Sequence, residues 1–188
     1  MTMPRRQTDV LLAILAAACG LTMLVALLAI AGAVGPALPV RPAKSYANDR
    51  AFGGSCLWRA CEDMLAANGR EEEAEFWYRQ YFGGACAADA AAVARARGLC
   101  YRDTYRGDEQ FLAECSDAGL AAAIHWPASH SRRCIHAVSF LGFDADDGGA
   151  WILDNNDPDQ LQKIPREKFL AAWRSAGGAA ICILPPEF

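Results

Sequence analysis

Gly53-Gly54-Ser55-Cys56-Leu57-Trp58-Arg59-Ala60-Cys61 leads from a glycine pair through a small hydroxyl and a thiol directly into a helical pattern. Over 57–68, Leu57, Ala60, Cys61, Met64 and Leu65 are apolar, while Arg59, Glu62 and Asp63 form one polar stripe. So narrow a stripe predicts a helix buried on most sides. Asn68-Gly69 is its stop signal. Cys56 then falls at the helix N-terminus, where unpaired N–H groups and the positive end of the macrodipole favour a thiolate over a thiol. Structural cysteines also occupy helix starts, so the rest of the chain has to choose between a nucleophile and a packed or bridged thiol.

Upstream, 10–34 is apolar or small throughout and uncharged, and Gly35-Pro36 closes it. The run exceeds the roughly 20 residues that cross a bilayer as a helix. Residues 1–35 are therefore expected to be a single-pass membrane anchor. A cleaved signal peptide is the alternative, with Ala29-Ile30-Ala31 as small residues suited to cleavage. A lipoprotein cysteine at Cys19 fits less well, because the apolar run continues past it. Arg5 and Arg6 precede the run while Arg41, Lys44 and Arg50 follow it, so counting basic residues does not orient it. The domain is expected on the extracytoplasmic side of the cell membrane. Residues 36–45, with Pro36, Pro39 and Pro42, read as an extended tether, and 46–188 as one domain.

That domain is large enough to bury a core without disulfides or metal. The net charge of −4 has neither sign segregated, which argues against a nucleic-acid partner. Outside the apolar run stand seven of the eight cysteines: Cys56, Cys61, Cys86, Cys100, Cys115, Cys134 and Cys182. In an oxidising compartment, three bridges and one free thiol suit that odd number. In a reducing one, all seven pack as small hydrophobes. The membrane segment favours bridges.

Downstream of the Cys56 helix, helices are expected over 71–82, 87–97, 107–119 and 165–176. Strands are expected over 99–105, 120–126, 135–143, 150–153 and 179–184. Helices come first and a mostly antiparallel sheet follows, an α+β arrangement. Glu71, Glu72 and Glu73 suit a solvated helix start, and Trp58 suits the core. Of three histidines, His136 begins a strand, and the next strand ends on Asp154. A hairpin of those strands brings Asp154 beside His136, and packing the Cys56 helix on the sheet completes a nucleophile, a base and an orienting carboxylate. The Cys56 backbone N–H supplies one oxyanion donor.

Two metal sites compete. His125, His130, Cys134 and His136 are possible zinc ligands, but without the tight paired spacings of structural sites. The acidic turn 144–149 lacks the spacing of a known calcium loop. No metal and no cofactor is expected.

Several stretches together resemble a known family. They are the small residue and Cys56 entering a helix, His136-Ala137-Val138-Ser139-Phe140-Leu141-Gly142, Trp151-Ile152-Leu153-Asp154, and Phe169-Leu170-Ala171-Ala172-Trp173. In that order they are similar to papain-like cysteine peptidases, and most to the bacterial branch that processes double-glycine leaders of bacteriocins. The resemblance covers 48–185. It implies a papain-like fold, a peptide or protein substrate, Cys56 as nucleophile, His136 as base and Asp154 as the carboxylate. Papain itself uses an asparagine there, which makes Asn155 the alternative orienter.

In one respect the chain departs from the family, which places a glutamine six residues before the cysteine to complete the oxyanion hole. Here that residue is Arg50, no glutamine lies between Gln7 and Gln80, and Asn48 is the nearest amide. Asn48 or Arg50 substitutes, or backbone donors serve alone, or activity is lost. Removing one such donor costs roughly 10²–10³ in rate. Three functions follow: a peptidase, a transglutaminase-like acyl transferase, or an inactive peptide-binding relative.

Overall fold

Helices cover both faces of a single antiparallel sheet in the computed structural model, which describes residues 42, 46–47, 54–128 and 135–186. These belong to a compact unit spanning Leu38–Phe188. The expected anchor over 10–34 lies outside the described residues. Among the described residues, no helix is long and apolar enough to cross a membrane.

The elements run α1 (Cys56–Ala67), α2 (Glu71–Gln80), α3 (Ala87–Ala96), β1 (Tyr101–Thr104), α4 (Glu109–Asp117), β2 (Ala122–Pro127), β3 (Ile135–Phe143), β4 (Ala150–Leu153), β5 (Leu161–Ile164), α5 (Arg166–Ser175) and β6 (Ala180–Ile183). The sheet order is β1-β6-β2-β3-β4-β5, and every pairing is antiparallel. This is the expected α+β class with one strand more. Leu161-Gln162-Lys163-Ile164 carries too little apolar character to read as a strand, and it forms because it closes the exposed side of β4.

Alternation along the strands sends side chains to opposite faces and builds two cores. On one face Ala121, Ala123, Ala137, Leu141, Leu153, Ile181 and Ile183 meet α1, α2 and α3. On the other, Ala122, Ile124, Val138, Phe140, Ile152 and Ala180 meet Phe111, Leu112 and Cys115 of α4 and Phe169 and Trp173 of α5. Ala121, Ala123, Ala137 and Ser139 are small residues on the α1 face, which lets the helix approach closely there. Ser139, fully buried, donates its hydroxyl to the Ala60 carbonyl at 3.2 Å.

Helix α1 is the spine of the first core. Leu57, Met64 and Leu65 are at most 2% exposed, and burying such a side chain is worth about 1.5–3 kcal/mol. Its polar stripe is buried as well. Arg59 pairs with Glu62 at 3.0 Å, donates to the Tyr81 carbonyl at 3.0 Å and lies 4.4 Å from the Tyr78 ring centroid. Asp63 accepts the Tyr46 N–H at 2.9 Å, and burial pushes its carboxyl up to about 7 against the pull of that bond, Ser139 and Arg59. Trp58 packs against Trp77 and Tyr81 in the same core.

The helix ends where Asn68-Gly69 indicated, and Asn68 does more than stop it. Its side-chain amide donates to the carbonyls of Ala121 and Ile183 at 3.1 and 2.8 Å. Its oxygen accepts the Ala121 N–H at 2.8 Å. The C-terminal end of α1 is thereby fastened to β6 and to the segment entering β2.

The bridge expectation is corrected. Cys56, Cys61, Cys86, Cys100, Cys115 and Cys182 all carry free thiols, while Cys134 lies outside the described residues. Cys86 precedes α3 and Cys100 follows it, both exposed and neither bridged. Cys61 is wholly enclosed in the α1 core. Cys115 and Cys182 share a sulfur hydrogen bond without being joined.

Candidate active site

The site forms in the notch left where β4 stops. Ser139 of β3 faces Leu153, the last residue of β4. Continued three residues further, the same register would set Ala137 opposite Asn155 and His136 opposite Asn156. The chain instead turns away: Asp154 accepts the Asn156 N–H on its side chain at 2.8 Å and the Asp157 N–H on its carbonyl at 2.8 Å. That turn frees the notch-side edge of Ala137 from a strand partner, and the N-terminus of α1 fills the gap.

Cys56, the first residue of α1, is half-buried. Ser55 just before it is buried, and its hydroxyl accepts the Gly83 N–H at 3.1 Å, which holds the helix entry against the end of α2. The Cys56 thiol hydrogen-bonds the His136 imidazole. His136 Nε2 lies 2.8 Å from Asp154 Oδ1, which leaves Nδ1 as the nitrogen for sulfur. The three residues expected to converge are thus in contact, Cys56 to His136 and His136 to Asp154.

Their electrostatics favour charge separation. Burial alone raises the Cys56 thiol, but the His136 hydrogen bond and charge, with the N–H groups of Ala137 and Leu57, bring it below its ordinary value. Burial opposes charge on His136, yet its bonds to Asp154 and Cys56, and their negative charge, raise the imidazole to about 9. Asp154, pushed up by burial, is brought below the usual carboxylate range by His136 and the Asn156 N–H. Both shifts run towards the charged forms, the thiol towards thiolate and the imidazole towards imidazolium.

Asn155 does not orient the imidazole. It is 1% exposed, and its Nδ2 donates to the carbonyls of Cys56 and Ala137, each at 2.9 Å. Asn156 stands by the ring instead, its Nδ2 3.0 Å from His136 Nε2. Two donors cannot bond each other, so Nε2–H and the Asn156 amide both point their hydrogens at Asp154, which also accepts from the Asn156 side chain. Nothing in the sequence singled out Asn156; its only signal was its place in the turn after Asp154.

Asn48 and Arg50 lie outside the described residues, as do His130 and Cys134. His125 sits in β2 facing Ala137, and burial lowers its imidazole. Among the described residues no group of three or more potential ligands could hold a metal ion. In the acidic turn, Lys163 pairs with Asp144 and Asp147 at 2.8 and 3.0 Å.

A cysteine-bearing helix docks on an antiparallel sheet, with a histidine at the start of β3 and a carboxylate just past the end of β4 beside it, an arrangement of the papain-like kind in fold. Two solved structures share the fold. The peptidase domain of Streptococcus ComA, a bifunctional ABC transporter of a quorum-sensing pathway, aligns over 74% of this chain and 96% of its own at 17% identity, TM-score 0.55. Digestive procathepsin L2 proteinase from Tenebrio molitor larval midgut aligns over 74% of this chain and 64% of its own at 13% identity, TM-score 0.51. A further structure, from Bacillus anthracis, overlaps 50% of this chain and 56% of its own at 20% identity, and its TM-score of 0.41 is too low to show a shared fold. No family model and no curated protein matches the chain. At these identities the likeness is one of fold.

Proposed function

We propose that this chain is a thiol hydrolase that cleaves peptide bonds through Cys56, His136 and Asp154. The observation that carries the reading is the relay itself: a half-buried thiol at a helix start is bonded to an imidazole, which is bonded to a carboxylate at 2.8 Å. The Cys56 thiolate attacks the scissile carbonyl carbon, and the oxyanion faces the Cys56 N–H, which has no acceptor within its helix. His136 gives its Nδ1 proton to the leaving amine as the C–N bond breaks, leaving a thioester on Cys56. The neutral imidazole then takes a proton from water, and the hydroxide displaces the thiolate to release the acid. Asp154 keeps the Nε2–H in place throughout.

The pH dependence follows from the same groups. The rising limb of kcat/KM reports formation of the Cys56 thiolate below its ordinary range. The falling limb reports loss of the His136 proton at about pH 9. A bell-shaped profile with its upper limb near pH 9 is expected. A profile still rising at pH 10 contradicts the assigned pair.

Hydrolysis of a mixed peptide library, read by mass spectrometry, tests the activity. New termini are expected with the wild type and not with Cys56→Ala. A library left intact by the wild type refutes the peptidase reading. The uncharged run 10–34 supports attachment to the cell membrane with the domain on the extracytoplasmic side. Protease accessibility of the domain in intact cells tests that side, and protection of the domain there opposes it.

A further inference from the structure

We infer that Asn155 is a positioning residue, whose buried amide holds the nucleophile and the base strand in register by bridging the carbonyls of Cys56 and Ala137. The inference rests on the reading of Cys56 as nucleophile, and it assigns Asn155 a task other than orienting the imidazole.

The contacts close a ring. The Ala137 N–H donates to the Cys56 sulfur. The Ala137 carbonyl accepts from Asn155 Nδ2, and the same nitrogen donates to the Cys56 carbonyl, both at 2.9 Å. Both hydrogens of one amide nitrogen are used, so the separation of the two backbones is set by a single planar group. One of those backbones carries the thiol; the other adjoins His136. Any drift of α1 along the sheet has to break this ring before it can pull sulfur from imidazole.

The amide gives up something to stay there. Its Oδ1 is buried and without a hydrogen-bond partner, a condition that costs free energy. Turning the amide over would aim that oxygen at two carbonyl oxygens, so the two donated bonds fix its orientation. Asn155 also occupies the position where β4, had it continued in register, would have supplied the partner of Ala137. A backbone strand would satisfy Ala137 but leave no room for the thiol. A side chain does both.

Alkylation of the full chain by iodoacetamide from about pH 4 to pH 10, with the Cys56 adduct quantified by peptide mass spectrometry, tests this without requiring peptide turnover. Wild type is expected to label Cys56 at lower pH than an ordinary thiol. In Asn155→Ala the labelling rate at about pH 6 should fall about tenfold or more, the scale of loss that small misplacements of reacting groups cause. Its curve should move towards that of an ordinary thiol. Asn155→Gln, which keeps the donors on a longer arm, should recover part of the loss.

A folded Asn155→Ala, judged by near-ultraviolet circular dichroism, that keeps the wild-type curve while its Tm falls overturns the proposal, because Asn155 would then only brace the fold. If Asn155→Ala does not fold, Asn155→Ser, with one donor, is read by the same rule: an intermediate curve supports the role and a wild-type curve overturns it. Slow, ordinary labelling of Cys56 in the wild type refutes the nucleophile reading instead, so the two failures are told apart.

Discussion

The two ends of α1 are each fastened to the sheet by a buried asparagine, and the fasteners differ. At the C-terminal end Asn68 uses both sides of its amide, giving to two carbonyls and taking the Ala121 N–H. At the N-terminal end the sheet-side Asn155 gives to two carbonyls and takes nothing. The first end is saturated and inert. The second keeps an unpaired oxygen, a thiol shifted towards its charged form and an imidazole raised to about 9. An orphaned acceptor and the paired shifts of thiol and imidazole sit at one end of the helix while the other end anchors it. That is how a stable fold carries a reactive group.

Substitutions along the helix and its notch should separate the ends, beginning with the largest effect. Cys56→Ala is expected to abolish peptide cleavage while leaving the melting temperature within a few degrees of wild type; residual cleavage would place the nucleophile elsewhere. Asp154→Asn should lower kcat by up to roughly 10⁴, the loss seen when the orienting carboxylate of a triad becomes an amide. It should also move the upper pH limb below the wild-type value of about 9, because the imidazolium loses its negative partner. An unchanged upper limb in that variant assigns the limb to another group.

At the inert end, Asn68→Ala should cost about 2–4 kcal/mol in denaturant unfolding, since it removes several buried bonds and strands the Ala121 N–H. Its Cys56 alkylation curve should stay as in the wild type. A shifted curve would mean that the ends are not independent.

The smallest effect is expected from Asp63, midway along α1, whose carboxyl is raised by burial to about 7. A carboxyl raised on folding stabilises the fold most below its unfolded value of about 3.9, and that contribution is lost as pH climbs through about 7. Asp63→Asn should therefore match wild type near pH 4 and be more stable at pH 8, by roughly 1–3 kcal/mol. Equal stability at pH 8 would show that Asp63 is ionised without penalty.

Much of this was legible in the sequence because local signals and tertiary need agreed. Ala137, Ser139 and Leu141 alternate with Val138 and Phe140, and that alternation feeds the two cores. Asn68-Gly69 stopped α1 on a glycine with φ of 73°. The fold class and the meeting of His136 with Asp154 followed from strand order and hairpin logic.

Other features depended on partners distant in sequence. The Arg59, Glu62 and Asp63 stripe looked like a narrow wet face, yet Tyr46, Tyr78 and Tyr81 close over it. Strand β5 exists because β4 offers it an edge. As turn residues Asn155 and Asn156 carried the same local signal, and the family resemblance pointed to Asn155; the notch beyond β4 instead sends Asn155 to the backbone and Asn156 to the imidazole. The odd cysteine count suggested bridges, but count carries no geometry, and the described thiols are free.

The most direct test of the central claim is to catch the acyl group on Cys56. A peptide p-nitrophenyl ester mixed with the wild-type protein should release a burst of nitrophenol stoichiometric with the protein. Intact mass at the end of the burst should be raised by one acyl group, mapped by peptide mass spectrometry to Cys56, with no such adduct in Cys56→Ala. Absence of a burst, or an acyl group found on the exposed Cys86 or Cys100 instead, would contradict the account.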